Sequence, residues 1–185
     1  MRDMPGRSLL LTAPRRLTWM EQALPSPMGR EVLVETRAGA ISIGSELPLY
    51  LGRARGAAPA AYPRMTGYES VGMVVACGAD VRYLRPGERV VGFYGHRTHA
   101  VVAEDRVIAV PPGIDDKDAL LVILTCDVAK GIGKVRPWIG ESVLVAGAGV
   151  IGLPREGVAG GWVTRRLGLS GARGVVLRGP APSSP

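Results

Sequence analysis

The residues whose types and spacing most directly indicate chemistry lie at positions 147–152, where the sequence reads GAGVIG after the apolar run VLVA. In a G-x-G-x-x-G loop the first glycine permits a tight turn, the second lets backbone approach a pyrophosphate, and the third lets a helix pack on the strand. The predicted cofactor-binding residues are therefore Gly147, Gly149, Val150 and Gly152. Because 26 of the 185 residues are glycine, a glycine-rich turn between two strands is the alternative.

The residues after this loop do not continue the pattern of a dinucleotide-binding domain. An amphipathic helix, a second strand and an acidic residue about 20 positions on should follow, but residues 154–157 read PREG and no sustained period follows. Seven glycines, four prolines and five arginines fall in residues 154–185, which a GC-rich reading frame shifted by one base would encode. We therefore expect an aberrant, disordered tail and only weak dinucleotide binding.

Composition and charge exclude several classes of protein. The formal charge is +7, of which residues 154–185 hold +4, leaving +3 for residues 1–153. This argues against a basic nucleic-acid-binding face on the folded part. Cys77 and Cys126 have no paired spacing for a disulfide framework or zinc clip, and no apolar run reaches transmembrane length. We expect a cytoplasmic protein with no nucleic acid or membrane partner, and with His96 and His99 in solvent.

The order of the other segments predicts a β-rich body followed by a helix. Residues 31–37 read EVLVETR, and this alternation indicates a half-buried strand. Residues 7–19 predict a hairpin, and further short strands, spaced as in a barrel or sandwich, are predicted at residues 73–77, 89–93, 99–103 and 106–110. Apolar spacing favours a helix over residues 115–135, capped by Asp115 or Asp116.

Four motifs in sequence carry a resemblance to a known family. Residues 67–72 (GYESVG), 84–90 (LRPGERV) and 112–114 (PGI) precede the glycine loop and are similar to G-H-E-x-x-G, F-x-P-G-D-R-V and P-x-G-[IL] of the medium-chain dehydrogenase/reductase superfamily. The resemblance implies a mostly β chain with some α: a GroES-like, partly open β-barrel catalytic domain at residues 1–114, then the crossover helix and start of a Rossmann domain at residues 115–153. It also implies NAD or NADP as cofactor.

Zinc is the family feature that this sequence departs from most clearly. A catalytic zinc needs three protein ligands and an open position, and Ile43 and Tyr68 stand where the family has two of those ligands. Glu69 is retained and Cys126 falls near the third ligand's place, so these two are weak metal candidates. We expect no zinc.

The resemblance also places candidate catalytic residues at Ser45, Glu46, Tyr68 and Glu69. Ser45 occupies the position of the family's proton-relay hydroxyl, with Glu46 beside it, and such a hydroxyl can pass a proton from the reacting alcohol. Alternatively, residues 44–46 only cap a helical turn. Tyr68 is either a metal-free acid or a packed core residue, and Glu69 has the same two interpretations as a site acid or a buried structural one.

Two hypotheses for function follow. The first is the N-terminal part of an NAD(P)-dependent, alcohol dehydrogenase-like oxidoreductase that transfers hydride between nicotinamide and a small alcohol or carbonyl substrate, with little turnover from this truncated chain. The second is a free-standing GroES-like binding or interaction module without catalysis. Because the helix at residues 119–128 has an apolar side, we also expect non-native self-association.

Overall fold

The computed structural model describes residues 4–53 and 61–135, together with residues 144–145, 167–169 and 175–177. The chain forms two compact units, Met1–Leu120 and Leu121–Pro185. Strands dominate the described residues, which confirms the prediction of a mostly β fold with some α. In this part of the chain, no helix combines the length and the apolar character needed to cross a membrane.

The described residues of the first unit form eight strands, one complete helix and the start of a second helix. The strands are β1 (Met4–Ala13), β2 (Arg16–Leu24), β3 (Glu31–Gly39), β4 (Arg64–Met65), β5 (Glu69–Cys77), β6 (Arg89–Phe93), β7 (His99–Ala103) and β8 (Val107–Ala109). The helix, α1, covers Ile43–Tyr50, and a 3-10 turn at Glu104–Arg106 connects β7 to β8. All the strands predicted within this unit are present.

The core of the first unit lies on a five-stranded antiparallel sheet in the order β7-β3-β5-β6-β8. Alternation along the strands turns every second side chain to one face. Burial of the apolar side chains on that face stabilises the unit by about 25 cal/mol per Å² of apolar surface. The buried cluster on this sheet comprises Val32, Val34, Val74, Leu84, Val90, Tyr94, Ala100 and Val107.

A second sheet of the first unit, in the order β2-β1-β4, contains the predicted hairpin. Strands β1 and β2 pair from Met4 opposite Leu24 to Ala13 opposite Arg16. β4 joins the other edge of β1, where Leu11 lies opposite Arg64. The backbone N–H of Arg15, in the hairpin turn, donates to the carbonyl of Tyr50 at 2.6 Å, so the turn holds the C-terminal end of α1.

A buried carboxylate fixes the far end of the five-stranded sheet. The side chain of Glu104 is 1% exposed and accepts from Arg30 Nε at 2.7 Å. Its second oxygen accepts from the backbone N–H groups of Arg82 and Tyr83 at 2.9 and 3.1 Å. The loop before β6 and the start of β3 are thereby tied to the end of β7.

The helix predicted over residues 115–135 is present as α2 (Asp116–Val135). Asp115 caps it, since its Oδ1 accepts from the N–H of Asp118 at 2.7 Å, as predicted. Beyond α2 the described residues form short antiparallel pairs of β9 (Leu144–Val145), β10 (Leu167–Leu169) and β11 (Val175–Leu177), in the order β10-β11-β9.

The sequence predicts neither β10 nor β11, which fall within the segment expected to be disordered. Each has three residues, and a strand of that length is too short to show a period. The strand predicted before the glycine loop is present in part as β9, and its partner β11 runs antiparallel to it. The rest of residues 154–185 lies outside the described residues.

Candidate active site

The first unit contains a cavity of about 580 Å³ whose walls are mainly aliphatic. The sheet β2-β1-β4 and the helix α1 both supply residues to the lining. The groups able to ionise in its lining are few. The lining comprises Leu9, Leu11, Leu17, Ile41, Ile43, Glu46, Leu47, Leu49, Tyr50, Arg64, Met65, Thr66, Gly67, Tyr68 and His96.

Glu46 lies at the polar end of this cavity and joins three segments of the chain. It is in the first turn of α1, and its side chain is 13% exposed. One carboxylate oxygen accepts from the N–H of Ser42 at 2.8 Å. The other accepts from the N–H of Gly67 at 2.9 Å and lies 3.1 Å from Nε2 of His96. Glu46 therefore sets the position of α1 relative to the two loops that carry Gly67 and His96.

His96 is held against the Gly67 loop by its backbone. Its N–H donates to the carbonyl of Thr66 at 2.9 Å, and its carbonyl accepts from Leu9 at the same distance. Gly67 has φ +82°, and a Cβ on it would lie 2.5 Å from the His96 backbone nitrogen. Only glycine permits this approach without a shift in one of the two loops.

The expectation that His96 lies in solvent is wrong. Its side chain is 15% exposed and faces the Glu46 carboxylate. Sequence reasoning missed it because the partner is fifty residues away along the chain, and a single histidine after a strand carries no local pattern. The one available signal was Gly95-His96, two residues after the predicted strand at residues 89–93, where a glycine permits close approach.

The predicted catalytic residues fall into two groups in the structure. Glu46 and Tyr68 line the cavity. Tyr68 packs its ring 4.8 Å from that of Phe93, centre to centre, at 59°. Glu69 is 3% exposed in β5 and is absent from the cavity lining, and Ser45 is exposed and also absent from it.

The alternative interpretation of residues 44–46 as a cap needs a correction. α1 begins at Ile43, and Ser42 at its N-cap position makes no side-chain capping bond. The carboxylate of Glu46 instead satisfies the N–H of Ser42 from inside the helix. The capping group is thus the acid rather than the Ser45 hydroxyl.

The residues at the family's zinc-ligand positions do not fit that ion. Ile43 lines the cavity with a 66% exposed side chain that has no donor atom. Glu46, the only carboxylate among the described lining residues, already accepts from two N–H groups and faces His96. Among the described residues, no three His, Cys, Asp or Glu side chains are grouped closely enough to hold a metal. Cys126 is exposed on α2.

The predicted cofactor-binding residues cannot be placed in the same way. Gly147, Gly149, Val150 and Gly152 lie outside the described residues. The strand that precedes them is represented by β9 alone. Their role therefore stays a prediction from the sequence.

Comparison with known proteins links this fold to one family. Residues 28–112 match the alcohol dehydrogenase GroES-like domain. The starvation-sensing protein RspB of Escherichia coli (strain K12) is 29% identical over 178 residues, covering 80% of this chain and 51% of the relative. The 2-desacetyl-2-hydroxyethyl bacteriochlorophyllide A dehydrogenase of Cereibacter sphaeroides is 27% identical over 201 residues, covering 94% and 61%.

A solved structure gives the same relationship in three dimensions. The crystal structure of the short chain alcohol dehydrogenase rspB from Escherichia coli CFT073, complexed with the cofactor NADH, has a TM-score of 0.72 and 27% identity. The match covers 85% of this chain and 53% of that one. This chain thus spans about half the length of the relatives that it matches.

Proposed function

Residues 28–112 are an alcohol dehydrogenase GroES-like domain, so the chain belongs to the medium-chain dehydrogenase/reductase superfamily, and from that premise we propose a function. The chain carries the substrate-binding domain of a zinc-independent, nicotinamide-dependent oxidoreductase. The substrate is a mainly apolar alcohol or carbonyl compound. Two free cysteines, Cys77 and Cys126, suit a reducing compartment, so we place the protein in the cytoplasm.

The observation that carries this proposal is the aliphatic cavity with a polar end where Glu46 and His96 lie 3.1 Å apart, with Tyr68 also in its lining. A ligand pocket of about 300–1,000 Å³ with a few convergent polar groups is typical of small-molecule sites. Aliphatic walls favour an apolar substrate body, and the polar end is where a hydroxyl or carbonyl oxygen finds hydrogen-bond partners. The substrate's reacting group is therefore assigned to that end.

In this proposal the protein transfers a proton to or from the substrate oxygen and does not stabilise a metal-bound alkoxide. When NAD or NADP is bound, it supplies or accepts the hydride. Reduction of a carbonyl also needs one proton at its oxygen, and Tyr68, one of the cavity-lining hydroxyl residues, is assigned to donate it. Glu46 and His96 keep the polar end in place. Ser45 and Glu69 do not line the cavity, and we assign them structural roles.

The test measures oxidation of reduced nicotinamide by a panel of apolar aldehydes and ketones. Absorbance monitors the reaction with the chain in excess. The assay is repeated after exhaustive chelation. We expect turnover that survives chelation and falls about a hundredfold in Tyr68→Phe, a typical loss for a general acid. Tyr83→Phe is the matched control, because Tyr83 is 74% exposed and outside the cavity lining.

Two results would contradict the proposal in different ways. Activity that chelation removes and zinc restores would contradict zinc independence. Ligand binding in the cavity with no oxidation of nicotinamide, even at high protein concentration, would favour the alternative of a GroES-like binding module.

A further inference from the structure

Among the described residues, Arg64 is the one arginine or lysine in the cavity lining. It lies on β4, where its backbone is opposite Leu11 of β1, and its side chain is half-buried. Leu11 opposite it and Met65 after it in sequence are both apolar and also line the cavity. A guanidinium in such surroundings is costly unless water or a partner solvates it.

Two other arginines in the first unit have close carboxylate partners, whereas half-buried Arg97, which is outside the cavity lining, places its Nη2 4.0 Å from Met65 Sδ. Arg30 pairs with Glu104 at 2.7 Å, and Arg89 pairs with Asp116 at 2.8 Å. Arg64 makes no hydrogen bond or ion pair with any side chain in the part of the chain that the structure describes. Its charge is therefore left to solvent at the cavity.

Glu46, the single carboxylate among the described lining residues, does not supply the missing partner. Glu46 accepts from Ser42 and Gly67 and faces His96, and it forms no ion pair with Arg64. A neutral, apolar ligand that fills the cavity removes water from the guanidinium and offers no hydrogen-bond acceptor in its place. An anionic group on the ligand replaces that water with a charge-assisted, bidentate contact.

We infer that Arg64 recognises an anionic oxygen group, a carboxylate or a phosphate, on an otherwise apolar substrate. This inference rests on the proposed function only in taking the cavity as the substrate site. It narrows the substrate class to an acid-bearing alcohol or carbonyl compound. The aliphatic walls hold the substrate's body, and Arg64 holds its charged group.

The experiment is calorimetric or NMR titration of the whole chain, with no nicotinamide present, using probes of matched size. The probes are phenylacetate, its neutral amide phenylacetamide, and phenyl phosphate. We expect the wild type to bind an anionic probe at least about tenfold more tightly than the amide, as a charged hydrogen bond requires. The tighter of the two anions identifies the group.

Variants separate recognition by Arg64 from the general charge of the protein. Arg64→Gln should lose the preference for the anion while keeping its affinity for the amide. Arg64→Lys should keep part of it, because an ammonium retains the charge but not the fork of donors. Arg106→Gln makes the same charge change at an exposed arginine outside the cavity lining and should change nothing.

Three outcomes would overturn the inference: equal binding of acid and amide by the wild type, an unchanged preference in Arg64→Gln, or an equal loss in Arg106→Gln. Binding of none of the probes would overturn it as well. Because no hydride transfer is measured, each of these outcomes leaves the nicotinamide oxidation test of the proposed function standing separately. A melting curve for each variant verifies that it is folded.

Discussion

Oε2 of Glu46 lies 3.1 Å from Nε2 of His96, although fifty residues separate the two in sequence. The same carboxylate accepts from the backbone N–H groups of Ser42 and Gly67. One acidic side chain thus fixes the relative positions of α1 and both loops at the polar end of the cavity. The Glu104 carboxylate links Arg30, Arg82 and Tyr83 in a similar way.

Replacing Glu46 tests its role as a link between three segments. In Glu46→Ala the N–H groups of Ser42 and Gly67 lose their acceptor, and an unsatisfied, partly buried donor costs about 1–3 kcal/mol. We expect urea unfolding to show a loss of about 2 kcal/mol or more. Glu21→Ala, at an exposed position of β2, is the control and should change stability by less than about 0.5 kcal/mol. Equal effects of the two substitutions would contradict the assignment.

Gly67 and Gly87 form a matched pair that separates backbone strain from close approach. Both have positive φ, +82° and +91°, but a Cβ at Gly67 meets His96 at 2.5 Å, whereas one at Gly87 meets nothing within 4 Å. Gly87→Ala should lower the free energy of unfolding by about 1–2 kcal/mol, because alanine must adopt the left-handed conformation. Gly67→Ala should cost about 3 kcal/mol or more and weaken ligand binding. Thermal unfolding of the two variants measures the difference, and similar losses would show that the Gly67 loop tolerates a side chain.

Glu104 should make the stability of the chain depend on pH in acid. Burial alone raises the pKa of this carboxyl, but the N–H groups of Tyr83 and Arg82 and the Arg30 side chain outweigh it and lower the pKa below its ordinary value of 4.5. A lowered pKa in the folded state means that the contribution is fully present above about pH 4.5 and is lost as pH falls through the folded value.

Glu104→Gln should therefore lower the melting temperature most at neutral pH, and its difference from the wild type should shrink as pH falls below about 4.5. Glu88→Gln, which alters an exposed carboxylate that accepts from Arg85, is the control. A difference between wild type and Glu104→Gln that grows in acid would contradict this sign.

The two cysteines should differ in reactivity. Burial raises the pKa of Cys77 above its ordinary 9.0, although Arg85 opposes the shift, whereas Cys126 is exposed. Because the thiolate is the reactive form, a thiol reagent at neutral pH should modify Cys126 well before Cys77. Cys126→Ser should leave only a slow reaction and Cys77→Ser only a fast one. A fast reaction in Cys126→Ser would contradict the burial of Cys77.

The parts of the fold that could be predicted are those that local pattern determines. Alternation over residues 31–37 identifies β3, and Asp115 ahead of an apolar period identifies the start of α2. The resemblance brought Glu46 and Tyr68 into the candidate site, and both line the cavity. The partners of Glu46 could not be predicted, because they depend on Gly67 and His96 meeting through tertiary packing. β10 and β11 were missed because three residues carry no period.

The most direct test of the central claim is a methyl NMR titration of the whole chain with a small apolar ketone such as cyclohexanone. The account predicts that shifts concentrate on the cavity methyl groups of Leu9, Leu11, Ile41, Ile43, Leu47 and Met65. The chemical shifts of the core-cluster methyl groups should not change, because Val32, Val34, Val74 and Val90 lie outside the lining. Saturable shifts in the first set alone would support the cavity as the substrate site. Shifts confined to other residues, or none at saturating ketone, would contradict it.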